Sequence, residues 1–96
     1  MIKKVQNLRL QVDFIKEGDT YIAYSSALDI STCGDTFLKA QKSFEKLVQI
    51  FFAELIKMGT LDDVLSSLGW KKSKSNWMPP TVIAHQLQSV TLPVFA

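Results

Sequence analysis

Little in this sequence is suited to covalent chemistry. It has one cysteine, Cys33, and one histidine, His85, and it lacks internal repeats, low-complexity segments and any large excess of one charge. A lone cysteine cannot close an internal disulfide, so a reducing, cytoplasmic compartment is expected. Cys33 has no CxxC partner and no neighbouring histidine; it is expected to be a small buried residue at a strand end rather than a metal ligand. His85, in TVIAHQLQ, has neither a nucleophile nor a carboxylate beside it, so it reads as an ordinary strand or loop residue and not as a catalytic base. The net charge of +2, from 11 basic and 9 acidic residues, is too small to leave the concentrated basic face of a nucleic-acid binder. KKSK at 71–74 is too short a footprint for phosphates. The most apolar run, QIFFAELI at 49–56, is broken by Glu54 and falls far short of the roughly 20 residues of a membrane span. MIKKVQNLRL has no apolar h-region and is not expected to act as a signal peptide. No cofactor, metal or membrane partner is expected.

What is present is the material of one small folded domain. Across its 96 residues, 47% are hydrophobic and 21% charged, a balance that supports a single core and excludes a disordered chain. Leu8, Leu10, Val12 and Phe14 alternate with Arg9, Gln11 and Asp13, the period-two pattern of a strand with one buried and one wet face. Gly18 in KEGD supplies a hairpin turn. TYIAYSSAL at 20–28 is rich in β-formers and pairs back on the first strand, and a third strand over 30–33 completes an antiparallel meander.

Gly34 then releases the chain, and Asp35 or Thr36 can accept from the first free N–H groups of a helix over 36–58. At 100° per residue, Phe37, Ala40, Phe44, Leu47, Val48, Phe51, Leu55 and Met58 share one arc, with Lys39, Lys42, Glu45, Lys46, Gln49 and Lys57 opposite. Gly59 ends the helix. Thr60 opens TLDD, a capping-box-like start for a short helix over 61–68. Residues 71–80 read as a surface loop, and a last strand is expected around 89–95, at an edge because of Pro93. The expectation is one α+β domain, order β-β-β-α-(short α)-β, with a single antiparallel sheet and one long helix on one face. Its core spans 5–58 plus the last strand, and 59–88 form the short helix and loop.

The aromatic strand YIAY (21–24), the short strand after it and GDTFLKA (34–40) opening the long helix resemble the HicB family. That resemblance covers residues 8–58 well and the last strand weakly. It implies a partly RNase H-like fold and a protein that binds and neutralises a small, basic HicA-type toxin, a ribonuclease that cleaves messenger RNA. This chain departs from the family pattern in having Phe37, Leu38 and Lys39 where acidic residues usually follow GDT, and DISTC where Pro-Gly commonly precedes it. Full-length relatives often add a DNA-binding module. Here no second helix follows 61–68 to form a DNA-reading pair, and no DNA-binding domain is expected.

The long helix raises a packing problem. About 23 residues make a rod of about 35 Å, and strands of about seven residues span only about 23 Å. Phe52 lies at the edge of the apolar arc, and Ile50 and Ile56 lie outside it on opposite flanks. They are covered either by the chain's own 60–80 segment, with Trp70 and Trp77 folding back, or by another subunit. With the unprotected edge strand SVTLPVF, this makes Ile50, Phe52, Ile56, Trp70, Trp77, Val90 and Leu92 the candidate interface and predicts a C2 homodimer. Three functions stand: an antitoxin-like interaction module acting by steric cover, an orphan self-assembling domain of the same fold, and a weak nuclease. The last would use carboxylates from Asp29, Asp35 and Asp62–Asp63 around metal ions, although Asp35 reads better as a cap and the other two as helix-start residues.

Overall fold

A computed structural model describes residues 6–94. It is α+β: strands β1 (Asp13–Glu17), β2 (Thr20–Ser25) and β3 (Ile30–Gly34), helices α1 (Phe37–Met58) and α2 (Leu61–Ser67), and a hairpin of β4 (Lys71–Ser73) and β5 (Asn76–Met78). The first three strands form one antiparallel sheet in the order β1-β2-β3, and β4 and β5 form a separate two-stranded sheet. Glu17 pairs with Thr20 across a two-residue turn that starts at Gly18, φ +61°, where only glycine is unstrained.

The register sorts side chains onto two faces. Phe14 opposes Ala23, and Ala23 opposes Thr32; this row faces α1, where Ala23, Ala40 and Phe44 are buried together. Asp13, Ile15 and Glu17 lie on the other face with Ile22 and Tyr24. Cys33 pairs with Ile22 on that outer face and is exposed, not buried as expected, because strand alternation turns it away from the helix.

The GDT junction has a steric basis. A Cβ on Gly34 would sit 2.6 Å from the Ala40 amide nitrogen and 2.9 Å from the Lys39 carbonyl carbon, so only glycine lets β3 run this close to the first turn of α1. Ala40, fully buried, is the small residue on the helix side of the same approach. The cap is Thr36, whose Oγ1 accepts from the Lys39 amide at 3.1 Å. Asp35 instead pairs with the Lys39 ammonium at 3.5 Å, an exposed contact of little energetic weight. At the far end Gly59 takes φ +71° and its N–H closes on α1 carbonyls.

Five- and six-residue strands reach about 17–20 Å, and the 22-residue helix about 33 Å, so the C-terminal half of α1 overhangs the sheet. A second core covers it. Ala27, Leu28, Leu65 and Trp70 are buried together, with Phe51 and Phe52 packed against them; Leu10, Ile30 and Val48 join both clusters. Trp70 is the tie. Its Nε1 donates to the Ala27 carbonyl at 2.7 Å, and its ring meets Phe52 edge-on at 6.2 Å.

Five expectations are corrected. Residues 8–12 are not in the first strand, which begins at Asp13, yet Leu8, Leu10 and Val12 still point into the two cores. Residues 26–29 form the β2–β3 turn, because Asp29 adopts φ +53° and Ala27 and Leu28 are drawn into the second core. Thr60 precedes α2 without a side-chain cap bond. Residues 71–78 are a hairpin rather than a loop, turned by Lys74 at φ +58°. The expected last strand is not formed: residues 79–94 carry no regular structure, and residue 95 lies outside the described residues. The first residue of the expected core, Val5, also lies outside them. Among the described residues no helix is long and apolar enough to cross a membrane.

Gly34→Ala is expected to lower unfolding free energy by about 1–3 kcal/mol through overpacking against helix backbone. Gly18→Ala, with open space around its Cβ, should cost about 1 kcal/mol from φ strain alone. Urea titrations of the two variants check the order; equal losses would show that the β3–α1 approach is not tight.

Candidate functional site

Three surfaces compete for function. The first is the outer face of the three-stranded sheet. The register puts Asp13, Ile15 and Glu17 from β1 beside Ile22 and Tyr24 from β2, and Ser31 and Cys33 from β3 complete the row. Ile15 is exposed, and Ile22 and Tyr24 are half-buried. The strand residues of this face include two carboxylates and no lysine or arginine, because Lys16 alternates to the helix side, where its ammonium lies 5.6 Å from the centre of the Tyr21 ring. Asp29 adds a third carboxylate at the rim, held by the Tyr24 hydroxyl, which donates to its Oδ1 at 3.1 Å. That hydrogen bond, then partial desolvation, then the negative charges of Asp29 and Asp13 push the Tyr24 phenol above its ordinary value of 10.0.

The second surface is a groove of about 910 Å³ between the N-terminal segment and α1. Leu8, Leu10 and Val12 form one wall and Phe44, Val48 and Phe52 the other, with Ile56 and Trp77 towards one end. Among the described residues lining it, Glu45 is the one that is charged. Gln6 fixes the N-terminal wall to the hairpin: its Nε2 donates to the Trp77 carbonyl at 2.6 Å and its Oε1 accepts from the Trp77 amide at 2.9 Å. The side chain thus replaces a neighbouring strand at the β5 edge. Lys72 covers the other side of the Trp77 ring at 5.6 Å.

The third surface is residues 79–94. Ile83, Leu87, Val90, Leu92 and Val94 are each 73% to 104% exposed, so this segment projects from the body. A small pocket of about 370 Å³ marks its root, where Pro79 and Pro80 pass beside Arg9, Gln11 and Ala27.

The expected interface residues divide accordingly. Ile50 and Ile56 are exposed on α1, and Val90 and Leu92 are exposed in the tail. Phe52 and Trp77 are half-buried along the groove. Trp70 is internal, 3% exposed, because its indole N–H finds a buried carbonyl partner. The chain's own 60–80 segment therefore covers the Phe52 side of the overhang and leaves Ile50 and Ile56 uncovered. The carboxylates weighed for a nuclease do not converge: Asp29 is with Tyr24, Asp35 with Lys39 and Asp62 with Lys72 at 3.7 Å. Among the described residues no group of three or more His, Cys, Asp or Glu side chains could hold a metal ion. His85 lies exposed in the projecting tail.

Two features escaped the sequence reading although their signals were present. No Asp, Glu, Lys or Arg occurs after Lys74, so the projecting tail has no side-chain charge of these types to hold it in water. The acidic sheet face was legible in DFIKE once Phe14 was assigned inward. Compared with family models, with curated proteins and with solved structures, the chain matches none.

Two tests follow from this geometry. Trp70→Phe keeps most of the buried area but leaves the Ala27 carbonyl without its donor, and should cost about 1–3 kcal/mol in chemical denaturation. In a Tyr21→Phe background, leaving Tyr24 as the one tyrosine, phenolate absorbance should titrate above pH 10.0 and move down towards it with Asp29→Asn. The sign follows from the fold favouring the neutral phenol: the stabilisation is present below the unfolded-state pKa and is lost as pH rises through the folded one. A midpoint insensitive to Asp29 would remove that hydrogen bond from solution.

Proposed function

We propose that this chain is a non-catalytic protein-interaction module, and that its partner is a small basic protein of the HicA-type toxin class, which it would neutralise by steric cover. The observation that carries this reading is the outer sheet face. Ile15, Ile22 and Tyr24 offer an apolar centre, and Asp13, Glu17 and Asp29 surround it with negative charge. Such a patch on an otherwise slightly basic chain complements a positively charged protein surface, and charge complementarity of this kind sets association rate and partner choice. The lysines at 39, 42, 46 and 57 belong to the opposite side of the molecule, on α1, and leave that approach free. The toxin class itself rests on the resemblance of YIAY and GDTFLKA to the HicB family.

The orphan self-assembling domain is the second reading, favoured by the uncharged tail and the apolar groove. The two are separated by using the tagged full chain as bait in native extract. The antitoxin reading expects a stoichiometric basic protein of under about one hundred residues, a single small domain, whose RNA cleavage is suppressed when this chain is added back. Asp13→Lys with Glu17→Lys should weaken that complex by roughly tenfold or more and reduce its salt sensitivity. Recovery of nothing but the chain's own untagged copies would remove the toxin and leave the orphan.

A further inference from the structure

The groove and the tail match each other in their near lack of charge and their apolar side chains. We propose that residues 87–94 of a second copy of this chain fill the groove between residues 8–12 and α1, the two copies exchanging tails about a twofold axis. This goes beyond the toxin reading, which concerns the outer face of the sheet, and does not depend on it.

Charge and pattern support the match. The groove is walled by Leu8, Leu10 and Val12 on one side and Phe44, Val48 and Phe52 on the other, and the tail carries no charged side chain. Val90, Leu92 and Val94 alternate with Ser89, Thr91 and Pro93, so an extended tail presents one apolar row to the groove and a small or polar row to solvent. Eight extended residues span about 26 Å, within the roughly 33 Å of α1. Residues 7–12 belong to no hydrogen-bonded ladder, so their backbone is open to strand addition. Pro93 lacks a donor and fits such a strand with its nitrogen turned outward.

The tail's exit directs it to another molecule. It leaves the body at Pro79 and Pro80 beside Arg9 and Gln11, the residues that alternate with the groove-lining Leu8, Leu10 and Val12. The root of the tail and the groove thus lie on opposite sides of the same extended segment. Two successive prolines fix φ, and the residue before each is held extended, so the chain cannot double back there at low cost. The molecule measures 59 × 29 × 23 Å with a radius of gyration of 16.5 Å, against about 12.5 Å for a compact chain of this length. Left uncovered, the exposed Val90, Leu92 and Val94 of each tail would make each copy an aggregation-prone edge. Reciprocal exchange covers both tails and both grooves in one closed interface.

The test uses the full chain. In a Cys33→Ser background, a Leu92→Cys variant is mixed with a Gln49→Cys variant, Gln49 lining the groove, and mildly oxidised. The expected product is a disulfide-linked pair of twice the 10.8 kDa chain mass containing one of each variant. If Leu92→Cys and Gln49→Cys placed in one chain close only within that chain, the tail folds back and the proposal fails. Absence of any such cross-link in either arrangement also overturns it. Sedimentation gives an independent reading. The unmodified chain should be a dimer, and Val90→Lys with Leu92→Lys should raise its dissociation constant by about a hundredfold or more with unchanged far-UV circular dichroism. A monomeric unmodified chain, or a dimer indifferent to these lysines, sinks the exchange. Capture of a basic partner through Asp13 and Glu17 would be unaffected in either case.

Discussion

A helix about 33 Å long rests on strands that reach only about half that distance, and most of the molecule's second half follows from this mismatch. The N-terminal turns of α1 are held at the sheet by the Gly34–Ala40 approach, which also fixes the direction of the rod. Everything beyond Val48 must find cover elsewhere. Leu65 and Trp70 return along the helix for that purpose, and the indole N–H of Trp70 anchors them to the Ala27 carbonyl. One helix is thereby shared by two cores, joined through Leu10, Ile30 and Val48.

The same mismatch sets what remains exposed. The returning segment covers the flank of α1 that carries Phe52, and it leaves an apolar groove beside residues 8–12. A projecting uncharged tail lies on the far side of that segment. Two different surfaces result. One is an acidic, aromatic-centred sheet face suited by charge to a basic partner. The other is an apolar groove suited by shape and lack of charge to a strand. The first is built by the register of β1–β3 and the second by residues 8–12 against α1.

Much of this was legible from local signals. The hairpin at Gly18 and the helix from Thr36 to Gly59 follow from turn chemistry, a cap and a period of 3.6, all short-range effects; the helix after Thr60 forms where expected, though without the side-chain cap bond that pointed to it. Alternation in residues 8–14 correctly assigned the inward side chains, though not the pairing, because period two reports a strand's faces and not its hydrogen-bond partners. The hairpin at 71–78 was missed since its lysines and serines carry no β-propensity; it is tied down by distant partners, with Gln6 bonding both backbone groups of Trp77 and the Trp77 ring packed on the second core. Trp70 looked like an interface residue because an aromatic after a helix has no visible partner until the β2–β3 turn is placed.

The sequence by itself determined neither the 71–78 hairpin nor the course of 79–94, but it did determine three strands in an antiparallel meander, a capped long helix, a short helix and a chain of α+β class. These depend on φ preferences, capping atoms and hydrophobic periods within a few residues of each other. Only the tertiary structure decided where Trp70 goes, that Cys33 faces outward, that Asp13, Glu17 and Asp29 surround one face, and that residues 79–94 stand away from the body. Each of these depends on register or on contacts between residues far apart in the chain, and a one-residue change of register would reverse every face.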